Sequence, residues 1–228
     1  MSSHSQKLTP KEAIGAAGAV YLIKDGLNVA QAFKLPEVNK HFNFSKGADR
    51  FSAASGMFEF KQSAGFAVMA MGKEQYENQA ILVCRGTEGF KDWLSDFNIG
   101  AQISRSGHVV HAGFNRIYNQ FRSDILRFVD AHQPSAIHCV GHSLGGALAN
   151  LAADTLLDRG HRTKLYTFGA PRVGTNSFAN KLSRHPRLGV NNIFRVYHSS
   201  DPVSMIPLFR LCMRHSPVAN IMSIKHSS

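Results

Sequence analysis

The sequence predicts one α/β domain over residues 1–228, a three-layer fold with a mostly parallel central sheet and helices on both faces. Short apolar runs typical of buried strands alternate with segments of helical spacing, the alternation that produces parallel crossovers. No repeat, long Pro/Ser linker or break in composition divides the chain, and 43% hydrophobic residues suffice for one core. In such folds ligands bind at the carboxyl ends of the parallel strands.

The first predicted element is an N-terminal helix over about residues 9–33. Thr9 and Glu12 have capping-box spacing, and Pro10 suits the first helical position. The expected apolar face consists of Ile14, Ala17, Tyr21 and Leu22.

The apolar run 13–23 also has the length of a signal peptide. Lys24, Asp25 and Gly26 separate this run from the sequence Ala-Gln-Ala at 30–32 that could form a cleavage site, so we favour the helix. No apolar run is long enough to span a bilayer. The sequence does not fix a location, and export by a leaderless route is compatible with it.

The remaining elements follow in order along the chain. Strands are predicted at 63–73, 79–84, 136–140, 164–168 and 192–198. The first two should form a hairpin around 74–78. Helices are predicted at 113–132, 144–159 and about 175–184.

A G-x-S-x-G pattern lies between the strand at 136–140 and the helix after it. It forms part of the sequence GHSLGG at 141–146, with Ser143 at its centre. A tight strand-to-helix turn exposes the serine hydroxyl, requires small neighbours, and places the serine beside unpaired N–H groups of the helix. Such groups can bind the oxyanion formed when a carbonyl is attacked, so the segment predicts a serine esterase.

A serine nucleophile needs a histidine base and a carboxylate that orients the histidine. Asp201 follows the strand at 192–198 and is the preferred acid, whereas Asp154 and Asp158 fall in the helix after the nucleophile and should face solvent. The order Ser, acid, His leaves His215 and His226 as candidate bases. We expect His142, next to the nucleophile, to have a structural role.

The composition argues against several other functions. Cys84 and Cys139 lie in predicted buried strands, which indicates free thiols. The histidines lack partners at ligand spacing, so we expect no metal site and no cofactor.

The net charge is +11, and residues 159–228 hold eleven Lys or Arg against one acid, which favours an anionic partner. We expect a lipid surface rather than nucleic acid, since no stacking platform accompanies the basic residues.

Five blocks in order resemble the class 3 lipase family, the fungal-type lipases and their bacterial relatives within the α/β-hydrolase superfamily. The blocks are CRGT at 84–87 with a following D-W pair at 92–93, HAGF at 111–114, GHSLGG at 141–146, TFGAPRVG at 167–174, and the segment 195–207. They cover about residues 79–207.

The resemblance implies an α/β-hydrolase fold and a carboxylic ester hydrolase of lipids, a lipase or phospholipase A working through an acyl-enzyme. Ser143 would be the nucleophile and Asp201 the acid. The oxyanion hole would be formed by Thr87 and Leu144. A lid would include Gly89, Phe90, Trp93 and Leu94.

For the base, the resemblance favours His226, which stands in an H-S context, over His215. A soluble-ester (feruloyl-type) esterase and a catalytically disabled membrane-binding module are the alternative functions. By analogy with bacterial members of the family, an immunity or inhibitor protein is a candidate partner, besides the lipid substrate.

Overall fold

A seven-stranded sheet is the centre of the computed structural model, which describes residues 6–23, 29–34, 37–44, 49–54, 63–86, 100–198, 213–214 and 220–224. Its strands are β1 (Asp49–Ala54), β2 (Ser63–Met71), β3 (Gln79–Arg85), β6 (Ala136–His142), β7 (Thr163–Phe168), β9 (Ile193–His198) and β11 (Asn220–Ile224). They are ordered β1-β2-β3-β6-β7-β9-β11. From β3 to β11 all neighbours are parallel, while β1 and β2 are antiparallel additions.

A second, smaller sheet lies beyond the carboxyl ends of the parallel strands. It consists of β4 (Ala101–Ile103), β5 (Val109–His111), β8 (Gly174–Thr175) and β10 (Met213–Arg214), in the order β10-β8-β5-β4. The main helices are α1 (Pro10–Ala19), α4 (Ala112–His132), α5 (Leu144–Asp158) and α6 (Asn176–Arg184), with single turns α2 (Val29–Ala32) and α3 (Val38–His41).

Two apolar layers hold these helices against opposite faces of the large sheet. Because side chains alternate along a strand, Leu82 of β3 packs among α4 and α5 while Ile81 and Val83 pack beneath α1. Phe121 lies in the first layer and Phe33 in the second, and both are fully buried. The predicted three-layer α/β class is therefore confirmed, as are the predicted strands, the parallel crossovers and the hairpin between β2 and β3.

The N-terminal helix differs from its prediction in length and in the face it buries. The capping box of Thr9 and Glu12 and the leading proline are present. The α-helix ends at Ala19, however, and a 3-10 turn follows at Val20–Leu22 before the chain becomes extended at Ile23. One continuous helix over 9–33 is therefore wrong.

The buried face of α1 is made of small residues. Ala17 is buried as predicted, together with Ala13 and Ala16, whereas Ile14 and Leu22, also assigned to the buried face, are 56% and 55% exposed. Alanines allow the helix to lie close to the sheet, so the large side chains point outward. Within the described segments, no helix is both long and apolar enough to cross a membrane.

Candidate active site

Ser143 occupies the turn between β6 and α5, at the carboxyl edge of the parallel strands. The preceding residue pairs with Phe168 at the end of β7, and the Ser143 N–H donates to the Phe168 carbonyl at 2.9 Å. Its backbone has φ 53° and ψ −128°, a region that non-glycine residues rarely adopt. Such strain persists only where the surroundings enforce it, and it is common at functional sites. The structure thus places the predicted nucleophile in a strained strand-to-helix turn.

Two glycines make this turn possible because backbone approaches both of them closely. A Cβ on Gly141 would lie 2.2 Å from the Gly145 carbonyl oxygen, and one on Gly145 would lie 2.1 Å from the Cys84 carbonyl oxygen. No side chain fits in either place. The glycines of the motif therefore let α5 start directly against the ends of β6 and β3.

The amino end of α5 faces the same point. Ser143 is the residue before the first helical position, and its carbonyl already accepts from the Gly146 N–H at 2.9 Å. Leu144 is the first helical residue and is fully buried. N–H groups in the first turn have no acceptor within the helix, and the helix dipole favours negative charge there. The Leu144 amide is therefore suited to the predicted role of oxyanion donor.

The end of β3 lies beside this helix start. The position of a Cβ on Gly86 would be 3.1 Å from the Leu144 Cβ and 3.2 Å from the Gly145 nitrogen. Thr87, the other predicted oxyanion donor, is the next residue in the chain. The end of β3 therefore lies directly next to the Ser143 turn between β6 and α5, which is called the elbow below.

Tyr21, which the sequence analysis assigned only to a helix face, contacts both the end of β6 and the end of β3. Its hydroxyl lies 3.1 Å from His142 Nδ1 and donates to the His142 carbonyl at 3.3 Å, and it lies 3.1 Å from the Cβ position of Gly86. Arg85 lies over the Tyr21 ring at 5.7 Å and donates to the Ile23 carbonyl at 3.2 Å. The segment after α1 therefore packs against the Ser143 turn, and His142 is hydrogen-bonded to Tyr21.

Other reactive groups near the elbow are unsuited to catalysis. Cys84 and Cys139 are free and buried, and burial raises the pKa of both thiols, so neither competes as a thiolate nucleophile. His138 is fully buried in β6 and lies 3.1 Å from the Gln79 side chain. Burial lowers the pKa of His138 well below its usual range, which keeps it neutral in the core.

Of the two rejected acids, Asp158 is exposed as predicted, whereas Asp154 is not. Asp154 is only 3% exposed, so the expectation that it faces solvent is wrong. Lys181 of α6 reaches both Asp154 and Asp158 at 2.6 Å, and Asp158 keeps a 43% exposed side chain. Burial lowers the pKa of Lys181, but its two carboxylate partners outweigh burial and the net shift is upward. These acids therefore join α5 to α6 and take no part in the elbow.

Several predicted site residues lie outside the described residues. They are the oxyanion residue Thr87, the lid residues Gly89, Phe90, Trp93 and Leu94, the acid Asp201, and the candidate bases His215 and His226. Their assignments stay predictions. In the part of the chain that the structure describes, no group of three or more His, Cys, Asp or Glu side chains could hold a metal ion.

Comparison with known proteins places this geometry in a family. The model of the family described as lipase (class 3) matches residues 81–211, more than half of the chain. A secreted mono- and diacylglycerol lipase of Fusarium solani is 33% identical over 144 residues, which are 60% of this chain and 42% of that protein. A chloroplastic phospholipase A(1) of Arabidopsis thaliana is 26% identical over 172 residues, or 63% of this chain and 38% of that protein. The chain thus spans less than half the length of these relatives.

Solved structures share the fold. Lipase II from Rhizopus niveus superposes with a TM-score of 0.65 at 24% identity, covering 90% of this chain and 76% of that one. A mono- and diacylglycerol lipase from Aspergillus oryzae gives 0.64 at 23% identity, covering 92% and 78%. With the family match and the strained elbow at the sheet edge, these similarities show that the chain belongs to the class 3 lipase family and has an α/β-hydrolase fold.

Proposed function

We propose that this protein is a serine carboxylic ester hydrolase that acts on lipids, a lipase or phospholipase A that works through an acyl-enzyme. The observation that carries the proposal is the strained Ser143 turn, with the start of α5 directed at it and the end of β3 alongside. Family membership and relatives named as lipases and a phospholipase support the class of substrate.

The strands that precede the proposed acid and base support their assignment. β9 ends at His198, three residues before Asp201, and β11 ends at Ile224, two residues before His226. The two strands are parallel neighbours with Ile224 paired to His198, so both end at the edge where Ser143 lies. His226 is accordingly our proposed base, with His215 as the alternative.

The reaction follows from these roles. The histidine takes the Ser143 proton as Oγ attacks the ester carbonyl, and the resulting oxyanion is stabilised by donors at Leu144 and Thr87. The tetrahedral intermediate collapses as the histidine gives its proton to the leaving alcohol. Water then attacks the acyl-serine, the histidine takes a proton from it, and the serine is regenerated as the acid leaves.

Exposed apolar side chains near the catalytic edge favour a lipid surface. Leu22 is 55% exposed and follows Tyr21, which contacts the elbow. Ile103 is 68% exposed on β4, whose partner β5 leads into the start of α4 at the same edge. Large apolar groups left in water at the rim of an active site would be buried by contact with a lipid aggregate.

The test is hydrolysis of p-nitrophenyl esters of increasing acyl length, with and without anionic vesicles. Wild type is compared with Ser143→Ala and with Ser123→Ala, a matched control on the exposed face of α4. We expect turnover that rises at the lipid surface, that is lost in Ser143→Ala and that is kept in the control.

The other outcomes separate the alternatives. Turnover confined to short soluble esters would indicate a feruloyl-type esterase. No turnover and no labelling of wild type by a fluorophosphonate probe would indicate a membrane-binding module. An immunity or inhibitor protein as partner rests on the family resemblance alone and stays a prediction, as does a preference for anionic phospholipid.

A further inference from the structure

Four exposed cationic side chains lie together at the amino edge of the parallel strands, opposite the proposed active site. This amino-edge basic patch consists of Lys7, Arg162, Arg184 and Arg187. Arg162 immediately precedes β7, and the Thr163 N–H at the start of that strand donates to the Arg187 carbonyl at 3.1 Å.

The other two members are tied to the same place. Arg184 is the last residue of α6, which ends at the turn that contains Arg187. Lys7 donates to the Asn191 carbonyl at 3.0 Å, just before β9 begins. The patch therefore gathers residues far apart in sequence onto one edge.

The acids near this edge are already matched by other cations. Arg159 lies 3.4 Å from Asp130, and Lys181 takes both Asp154 and Asp158. Among the described residues, no carboxylate lies within ion-pair distance of the four patch side chains. Four positive charges at one edge give that surface a positive potential, which favours an anionic partner.

His185 lies beside the patch. Burial lowers the pKa of His185, and Lys181 and Arg187 lower it further, while Asp158 and Asp154 act in the opposite direction. The backbone here is held in place, because the His185 carbonyl accepts from the Leu188 N–H at 3.1 Å and from the Gly189 N–H at 2.8 Å. A surface fixed before binding loses little conformational entropy when a partner docks.

The position of the patch argues against the substrate bilayer as its partner. Ser143 lies past the carboxyl end of β6, and a seven-residue strand is about 20 Å long. A bilayer bound at the amino edge would leave the nucleophile directed away from it.

The patch contains three arginines, the residue type best suited to bind carboxylates. Val190, 38% exposed, lies in the chain between Arg187 and Asn191, whose carbonyl Lys7 binds. Arginine is enriched in protein interfaces, and guanidinium groups bind carboxylates with two parallel hydrogen bonds. We propose that the amino-edge basic patch docks an acidic protein surface, at a distance that leaves the active site open.

The test measures binding of a fluorescein-labelled polyglutamate peptide by anisotropy at about 0.05 and 0.3 M NaCl. The edge variant is the triple substitution Arg162→Gln, Arg184→Gln and Arg187→Gln. We expect its Kd for the peptide to rise at least about tenfold at low salt, because three carboxylate-binding groups are lost. Wild-type binding should weaken at the higher salt, and ester hydrolysis should be unchanged.

The matched control removes the same charge elsewhere. It is the triple substitution Lys34→Gln, Arg105→Gln and Arg116→Gln, which are also exposed. We expect a change in Kd of less than about threefold, because these groups lie away from the patch.

Three results would overturn the proposal. One is an equal loss of binding in both triples, which would show that net charge alone attracts the peptide. Another is no peptide binding by wild type at low salt. The third is binding of anionic vesicles or duplex DNA that depends on the three arginines while peptide binding does not. Because none of these readouts uses catalysis, failure of the patch and failure of the proposed hydrolase activity are separable.

Discussion

Replacing Gly145 with alanine tests whether close backbone contact at the elbow sets the oxyanion geometry. The added Cβ would lie 2.1 Å from the Cys84 carbonyl oxygen. A relaxed carbon-to-oxygen contact is about 3.3 Å, so α5 and β3 would have to separate by roughly 1 Å. That movement would displace Leu144 relative to the chain that follows Gly86. A misplacement of about 1 Å at a reacting centre can cost about 100-fold in rate, and overpacking costs about 1 to 3 kcal/mol of stability.

The assay is kcat/KM for a p-nitrophenyl ester together with the thermal unfolding midpoint. Gly18→Ala is the matched control, because Gly18 lies in α1 with nothing within 4 Å of an added Cβ. It should stabilise the protein by about 0.5 to 1 kcal/mol through helix propensity and leave kcat/KM unchanged. Gly145 is also helical, so propensity alone predicts stabilisation there too. A Gly145→Ala variant that is more stable and keeps kcat/KM within about threefold would refute the packing argument.

The remaining predictions concern buried charges and the Tyr21 contact. Lys181→Met should cost about 3 to 5 kcal/mol of unfolding free energy, because Asp154 would be left buried and unpaired, whereas Lys11→Met, from an exposed pair, should cost under about 1 kcal/mol. Urea unfolding measures both, and equal losses would contradict the burial argument. Tyr21→Phe should lower kcat about fivefold with little change in KM, the effect of roughly one hydrogen bond, and an unchanged kcat would show that the contact does not position the elbow. Burial, with Lys7 nearby, lowers the pKa of Lys164 to about 8, below the unfolded value, so the unfolded chain binds more protons between about pH 8 and 10.4. The unfolding free energy of wild type should therefore rise relative to that of Lys164→Met from pH 8 to 9.5. It should show no such trend from pH 6.5 to 7.5. A difference that does not depend on pH across the whole range would refute the lowered pKa of Lys164.

Local patterns were sufficient for most of the large sheet and for the position of Ser143. The strand β3 is a nearly continuous apolar run, and β6 is one interrupted by a histidine, because a strand covered on both faces is buried along its length. The elbow was also predicted from local sequence. Its tight turn tolerates only small residues at fixed spacing, so neighbouring positions in the sequence reveal its geometry. The small sheet was not predicted, since its strands have only two or three residues. β1 (DRFSAA) and β11 (NIMSI) were missed because neither is an unbroken apolar run or alternates strictly.

Long-range partners decided what the sequence could not. Asp154 has the local context of a surface helix residue, and only Lys181, 27 positions away, makes its burial possible. Tyr21 lies in an apolar run with no local sign of its partner, yet its hydroxyl contacts His142, which is 121 residues away in the sequence. Which face of α1 is buried was decided by how closely the helix packs on the sheet, and not by which of its side chains are largest.

By itself the sequence determined the fold class, the positions of five strands of the large sheet and the serine at the turn, because those depend on hydrophobic pattern and on steric limits among neighbouring residues. The tertiary structure alone decided which face of α1 is buried, which acid is paired, and that the four exposed cations gather at the edge opposite Ser143. Those features arise from contacts between elements, whose energies depend on distances that no local pattern encodes.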